Sequence, residues 1–175
     1  MNVLVVVDMQ NDFITGSLGT PEAQAIVPNV KKKIEAAAKN GDLIIYTKDT
    51  HFEWYLDTQE GKKLPVEHCL YNSKGWQIPD ELLPPVGYTN VETIEKPTFG
   101  SFILADLLAQ TNCDEIELVG LCTDICVVSN ALLLKARLYD FNEISVDATC
   151  CAGVTPETHE AALKTMEMCQ INVKR

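Results

Sequence analysis

Cys126, Lys96 and Asp8 supply a nucleophile, a cation and a proton carrier, each placed at or just past a segment that reads as a strand. Cys126 falls just inside the turn from strand to helix after Val119-Gly120-Leu121-Cys122. There, unpaired backbone N–H groups and the helix dipole favour a thiolate, and the same N–H groups can hold an oxyanion formed by attack on a carbonyl. A nearby Lys ammonium lowers the thiol pKa further. Asp8 follows the apolar run Val3-Leu4-Val5-Val6-Val7. Desolvation there raises its pKa toward an acid–base range, and a close ammonium opposes the shift. Lys96 precedes Pro97, which biases it toward extended geometry. Each residue also has an ordinary reading: a buried Cys is commonly a small hydrophobe, Asp caps turns, and most Lys are solvated.

A second group suits a metal. Asp49 and His51 alternate on one extended segment and therefore point the same way, and His68 follows in the irregular stretch beyond. Two imidazoles and a carboxylate suit a divalent transition metal with open positions for water, zinc foremost, with iron or manganese also compatible. The ordinary reading is surface histidines that bind nothing.

These positions depend on the elements around them. Val3–Val7 and Leu43–Thr47 read as strands buried on both faces. Further strands are expected up to Glu95, at Ile116–Val119, at Glu143–Val146 and at Ile171–Val173. Helices are expected over Pro21–Lys39, Ser101–Gln110, Thr123–Leu138 and Pro156–Met168, the first ended by Asn40-Gly41. The segment from Lys48 to Pro85 has no clear period and holds both Trp residues and two of the three His, as long functional loops do. Strands alternating with helices imply an α/β fold, a three-layer Rossmann-like sandwich with a mainly parallel sheet of about six strands, formed by residues 1–175 as one domain. In such sheets ligands bind beyond the carboxyl ends of the strands, where Asp8, the Lys48–His51 segment, Lys96, the Gly120–Cys126 segment and Asp147 would converge.

Composition narrows the function. A formal net charge of −11 argues against nucleic acid and an anionic membrane surface. No Gly-x-Gly-x-x-Gly follows the first strand, so no nucleotide cofactor is expected. Seven Cys, an odd count without a disulfide framework, point to reduced thiols and a cytoplasmic location, and the first apolar run is too short for a signal sequence.

The segments VVVDMQNDF (5–13), TKDTH (47–51), EHC (67–69), EKPTFGSF (95–102) and VGLCTDICV (119–127) resemble the isochorismatase-like cysteine hydrolases, and within them nicotinamidases, over nearly the whole chain. The resemblance implies Cys126 as nucleophile, Asp8 as acid–base and Lys96 as the cation of a triad, with backbone N–H groups of Cys122 and Cys126 as an oxyanion hole. It implies a cis peptide between Leu121 and Cys122, a metal held by Asp49, His51 and His68, and a substrate pocket touched by Phe13 and Leu121. The implied reaction is hydrolysis of a small amide, nicotinamide foremost, through a thioester, in a homo-oligomer. One departure stands out: the Trp that usually stacks on the pyridine three residues before the loop His is Pro65 here, which leaves Trp54 and Trp76 as candidates for that wall. Three other readings compete. One is an amidase for N-carbamoyl or other small amides. Another is vinyl ether hydrolysis, disfavoured because several such members lack the Cys and the metal ligands. The last is a redox or binding module using Cys122 and Cys126, whose C-x-x-x-C spacing is not that of a redox pair.

Overall fold

A computed structural model describes residues 1–139 and 142–175. Its centre is a six-stranded, all-parallel sheet in the order β3-β2-β1-β4-β5-β6. The strands are β1 (Val3–Val7), β2 (Leu43–Asp49), β3 (Val91–Lys96), β4 (Glu115–Leu121), β5 (Glu143–Ala152) and β6 (Asn172–Lys174). The helices are α1 (Asn11–Ile14), α2 (Pro21–Asn40), α3 (Gln59–Lys63), α4 (Phe102–Ala109), α5 (Val128–Leu138) and α6 (Pro156–Met168).

Alternation along the strands sorts the core into two layers. Val3, Val5, Val7 and Ile45 face Leu104, Leu108, Leu134 and Leu163 of α4, α5 and α6. Leu4, Val6, Ile44 and Tyr46 face Ile26, Val30 and Ile34 of α2. All five residues of β1 are buried, as its unbroken apolar run requires, and each fully buried Val or Ile contributes roughly 1.5–3 kcal/mol. Helix α2 starts where Thr20 Oγ1 accepts the Ala23 N–H and Pro21 opens the first turn. It stops at Gly41, whose φ of 77° suits a residue without a side chain. No helix among the described residues is long and apolar enough to cross a membrane.

Two expectations need correction. The helix expected over Thr123–Leu138 begins as a five-residue π-turn, Thr123–Val127, before α5. The cause is a wide closure in which the Val127 N–H reaches back to the Cys122 carbonyl at 3.0 Å. Asp147 does not follow β5 but lies within it. Between Leu118–Val146 and Gly120–Cys151 the pairing shifts register, so β5 carries extra residues through a bulge. The Asp147 carboxylate binds Lys33 Nζ at 2.8 Å and the Thr149 N–H and hydroxyl at 2.9 and 2.6 Å, and it takes no part in the site below.

Candidate active site

Strands β3, β2, β1 and β4 are neighbours, and the chain crosses from one half of the sheet to the other between β1 and β4. Their carboxyl ends deliver Lys96, Asp49, Asp8 and the Cys122–Cys126 turn to one place, as expected at a topological switch point. Gly120 makes the junction possible. A side chain there would lie 2.1 Å from the Val7 carbonyl oxygen, and φ is 119°, a region L-residues rarely adopt. The Leu121–Cys122 peptide that follows is cis.

Asp8 sits at φ 48°, in the left-handed region that Asp tolerates better than most residues. Its N–H donates to the Thr47 carbonyl at 3.1 Å, and the Thr47 hydroxyl donates to Asp8 Oδ1 at 2.7 Å. That leaves Oδ2 for Lys96 Nζ, 2.6 Å away. The same ammonium lies 3.5 Å from Cys126 Sγ and 3.6 Å from Asp49 Oδ1, and donates to the Thr98 carbonyl at 3.0 Å. Lys96, Asp8 and Cys126 are all buried. Asn130 braces this group from α5: its amide donates to the Cys126 carbonyl at 2.8 Å and to the Phe99 carbonyl at 3.1 Å, and its Oδ1 accepts the Ser101 N–H at 3.0 Å. The turn carrying Cys126 is thereby tied to the loop that follows Lys96.

Burial sets the protonation pattern. It raises the Asp8 pKa despite the opposing Lys96 charge. Burial would lower that of Lys96, but Asp8, Cys126 and Asp49 outweigh it and keep the ammonium charged. The Cys126 thiol is pushed well above its ordinary value by burial and by the Asp8 charge, against the pull of Lys96. The resting group is therefore a thiol beside a proton acceptor, rather than the standing thiolate that a helix N-terminus would favour. The difference arises because dry surroundings penalise a second anion next to Asp8.

The second group assembles across a long loop. His51 exchanges backbone hydrogen bonds with Cys69 and Tyr71 at 3.0 and 2.8 Å, an isolated parallel bridge that brings His68 beside it. Asp12 anchors the same loop by accepting the Cys69 N–H at 2.8 Å. His68 Nδ1 donates to the Val66 carbonyl at 2.8 Å, which turns Nε2 inward. His51 Nε2 and His68 Nε2 lie 3.0 and 3.4 Å from Asp49 Oδ2, and each lies 3.8 Å from Glu60 Oε1. Ligand atoms of Asp49, His51, Glu60 and His68 all lie within 4.8 Å of one another. Burial opposes ionisation of Asp49, but hydrogen bonds from both histidines and the Lys96 charge outweigh it and hold the carboxyl below its usual range. Asp49 Oδ1 is turned toward Lys96 Nζ, which leaves Oδ2 to face the two imidazoles. Two inward-facing imidazole nitrogens and the carboxylates of Asp49 and Glu60 fit a divalent transition metal. Tyr55 packs against both imidazoles, with ring centroids 4.7 and 5.0 Å away.

A cavity of about 240 Å³ joins the two groups. Phe13, Leu18, Leu64, Phe99, Ile125 and Val154 make its apolar walls, and Cys122, Cys126, Asp49, Glu60 and His68 also line it. The structure thus brings together Asp8, Asp49, His51, His68, Lys96, Cys122, Cys126 and Phe13. It does not bring Leu121, whose side chain packs into the α2-side core. Neither Trp supplies a cavity wall: Trp54 is exposed and stacks on Phe52, and Trp76 packs under Lys48 and donates to the Thr50 hydroxyl. Phe99 stands at the cavity instead. Sequence reading missed Glu60, Thr47, Asn130 and Phe99. Of these, Phe99 and Thr47 lay inside the motifs quoted above, whereas Glu60 and Asn130 had no local signal.

Comparison with known proteins bears on the family and the fold. An isochorismatase domain model matches residues 2–174. The nicotinamidase of Escherichia coli is 28% identical, over 94% of this chain and 89% of that protein. The pyrazinamidase of Pyrococcus horikoshii, solved in complex with zinc, superposes with a TM-score of 0.84 at 27% identity, covering 99% of this chain and 98% of that one. The N-carbamoylsarcosine amidase of Thermoplasma acidophilum superposes with a TM-score of 0.80 at 31% identity, over 99% and 95% of the two chains. With the family model spanning nearly its full length, the chain belongs to the isochorismatase family.

Proposed function

We propose that this chain hydrolyses a small, neutral amide, nicotinamide foremost, through a thioester on Cys126. The observation that carries the reading is the buried contact of Lys96 Nζ with Asp8 at 2.6 Å and with Cys126 Sγ at 3.5 Å, at the end of an apolar cavity. Asp8 accepts the thiol proton as sulfur attacks the amide carbon, and Lys96 offsets the negative charge. The developing oxyanion is held by the backbone N–H groups of Cys122 and Cys126. As the C–N bond breaks, Asp8 returns its proton to the leaving ammonia. Water then attacks the thioester with Asp8 as base, releasing the acid and restoring the thiol. Asp49, His51, Glu60 and His68 would hold a divalent ion, which would supply Lewis-acid chemistry for positioning the amide. The reading also expects a homo-oligomer working in the cytoplasm.

The cavity supports a neutral substrate. Its lining has no Lys or Arg, and Asp49 and Glu60 are acidic. An N-carbamoyl amino acid, the alternative raised by the 31% identity to the Thermoplasma enzyme, would bring a carboxylate that no Lys or Arg of the lining meets, which would leave the divalent ion as its counter-charge on those walls. A planar six-membered ring with a carboxamide suits the aromatic walls Phe13 and Phe99 and the small volume. The test is ammonia release from nicotinamide and from N-carbamoyl amino acids, with Cys126→Ala as control. Turnover of nicotinamide, lost in the variant, is expected. Preference for a carboxylate-bearing substrate, or full activity of Cys126→Ala, would overturn the reading.

A further inference from the structure

At the start of the turn that carries Cys126, the imidazole of His159 on α6 contacts Thr123, and neither residue lines the cavity. Nδ1 lies 2.7 Å from the Thr123 hydroxyl. Thr123 is fully buried and is the first residue of the π-turn that carries Cys126. The next residue, Asp124, accepts the Val154 N–H with both carboxylate oxygens, at 3.1 and 3.2 Å. Val154 and Ile125 are cavity walls beside Cys126. Gly153 closes the arrangement: a Cβ there would lie 2.9 Å from the backbone and Cβ of His159, so the β5–α6 turn rests directly against the helix. Helix α6 is itself held at its start by Thr155 and Thr158, which cap each other reciprocally.

We propose that His159 is a positioning residue for the amide reaction. Its hydrogen bond to Thr123 fixes the turn that aims the Cys126 thiol and the oxyanion-binding N–H groups, while Asp124 fixes the cavity wall at Val154. This inference rests on the amidase reading above. It adds to the triad a support that reaches the reacting atoms through the backbone from a different helix. The turn is held from three sides, by its own Val127-to-Cys122 closure, by Asn130 from α5 and by His159 from α6. A π-turn has a wider hydrogen-bonded ring than an α-helix and needs such external ties. Loosening one tie shifts atoms that act in the transition state more than it alters substrate contact, so the cost falls on kcat.

The test compares His159→Phe, His159→Asn, His159→Gln, Thr123→Val and the double variant His159→Phe/Thr123→Val in metal-loaded protein, measuring nicotinamide turnover and urea denaturation midpoints. Asn places a polar atom near the Nδ1 position, whereas Gln places it near Nε2. His159→Phe and Thr123→Val are expected each to lower kcat about tenfold, with KM within about twofold and no further loss in the double variant. His159→Asn should recover most of the loss and His159→Gln should not. A kcat within about twofold of the parent in either single variant, or equal behaviour of Asn and Gln in step with their denaturation midpoints, would overturn the proposal. Should His159→Phe fail to fold, Thr123→Val and the Asn–Gln pair decide alone. A parent chain that releases no ammonia would count against the amidase reading instead. Alkylation of Cys126 by iodoacetamide, which needs no substrate, then carries the test. His159→Phe and Thr123→Val should slow it by a similar factor, about threefold or more, and unchanged rates would overturn the role of His159.

Discussion

Replacing Lys96 by Met keeps the length of the side chain and removes the charge that the buried site is built around. Lys96 Nζ faces Asp8 at 2.6 Å and Asp49 at 3.6 Å, with both carboxylates almost wholly buried. Removing one partner of a buried ion pair costs about 3–5 kcal/mol, because the other charge is left in a dry environment. Asp8 has a way to reduce that cost. Burial already raises its pKa, and losing Lys96 raises it further, so the folded variant takes up a proton there that the unfolded chain, with an ordinary Asp, does not. In that window the folded state binds more protons than the unfolded state, and stability therefore falls as pH rises, by up to about 1.4 kcal/mol per pH unit. Between about pH 5.5 and pH 7.5 the stability gap between parent and variant should widen by up to about 2.7 kcal/mol. Urea denaturation of metal-free parent and variant at both values measures it. Because Lys96 also pulls down the Cys126 pKa, the pH profile of iodoacetamide alkylation should move upward in the variant. A stability loss below about 1 kcal/mol, or one equal at both pH values, would refute the view that Lys96 is the main counter-charge to Asp8.

Thr47→Val removes the hydroxyl that donates to Asp8 Oδ1 at 2.7 Å. It should cost about 1 kcal/mol of stability and lower kcat several-fold with KM little changed, and steady-state kinetics that leave kcat intact would show that Asp8 does not depend on this bond. The purified chain should carry about one transition-metal ion, lost in His51→Ala/His68→Ala and bound about tenfold or more weakly in Glu60→Gln. Affinity should fall below about pH 6 because imidazole must be neutral to ligate, and elemental analysis with a competing chelator checks both statements. Gly120→Ala places a methyl 2.1 Å from the Val7 carbonyl at φ 119°. It should destabilise the fold by about 3 kcal/mol or more, and an unfolding midpoint close to the parent would mean that β1 and β4 part easily at this point.

Much of the architecture was legible in residue order. Unbroken apolar runs such as Val3–Val7 can satisfy themselves only between two helical layers, and their alternation with capped, amphipathic helices leaves a parallel doubly wound sheet as the consistent arrangement. Once that sheet is accepted, residues at strand ends converge by geometry, which is why Asp8, Asp49, Lys96 and Cys126 could be named before any coordinates. The pair Asp49 and His51 was readable for the same local reason, the two-residue period of an extended chain.

Where contacts join segments far apart in the chain, residue order was silent. Asp147 was misplaced because a bulge adds residues to one strand of a pair and leaves no mark on hydrophobic periodicity. Trp54 and Trp76 were offered as cavity walls, yet the wall is Phe99, since the course of the loop depends on its bridge from His51 to Leu70 and on Asp12 holding Cys69. Glu60 joins Asp49, His51 and His68, and Asn130 and His159 brace the turn that carries Cys126, through hydrogen bonds and ion contacts between different elements. Burial beside Asp8 likewise raises the Cys126 pKa, against the local helix-start rule. By itself the sequence determined which residues stand at the strand ends, because backbone periodicity is local. Which side chains then meet there, and in what charge state, only the tertiary structure decided, because burial and through-space contact are properties of the folded chain.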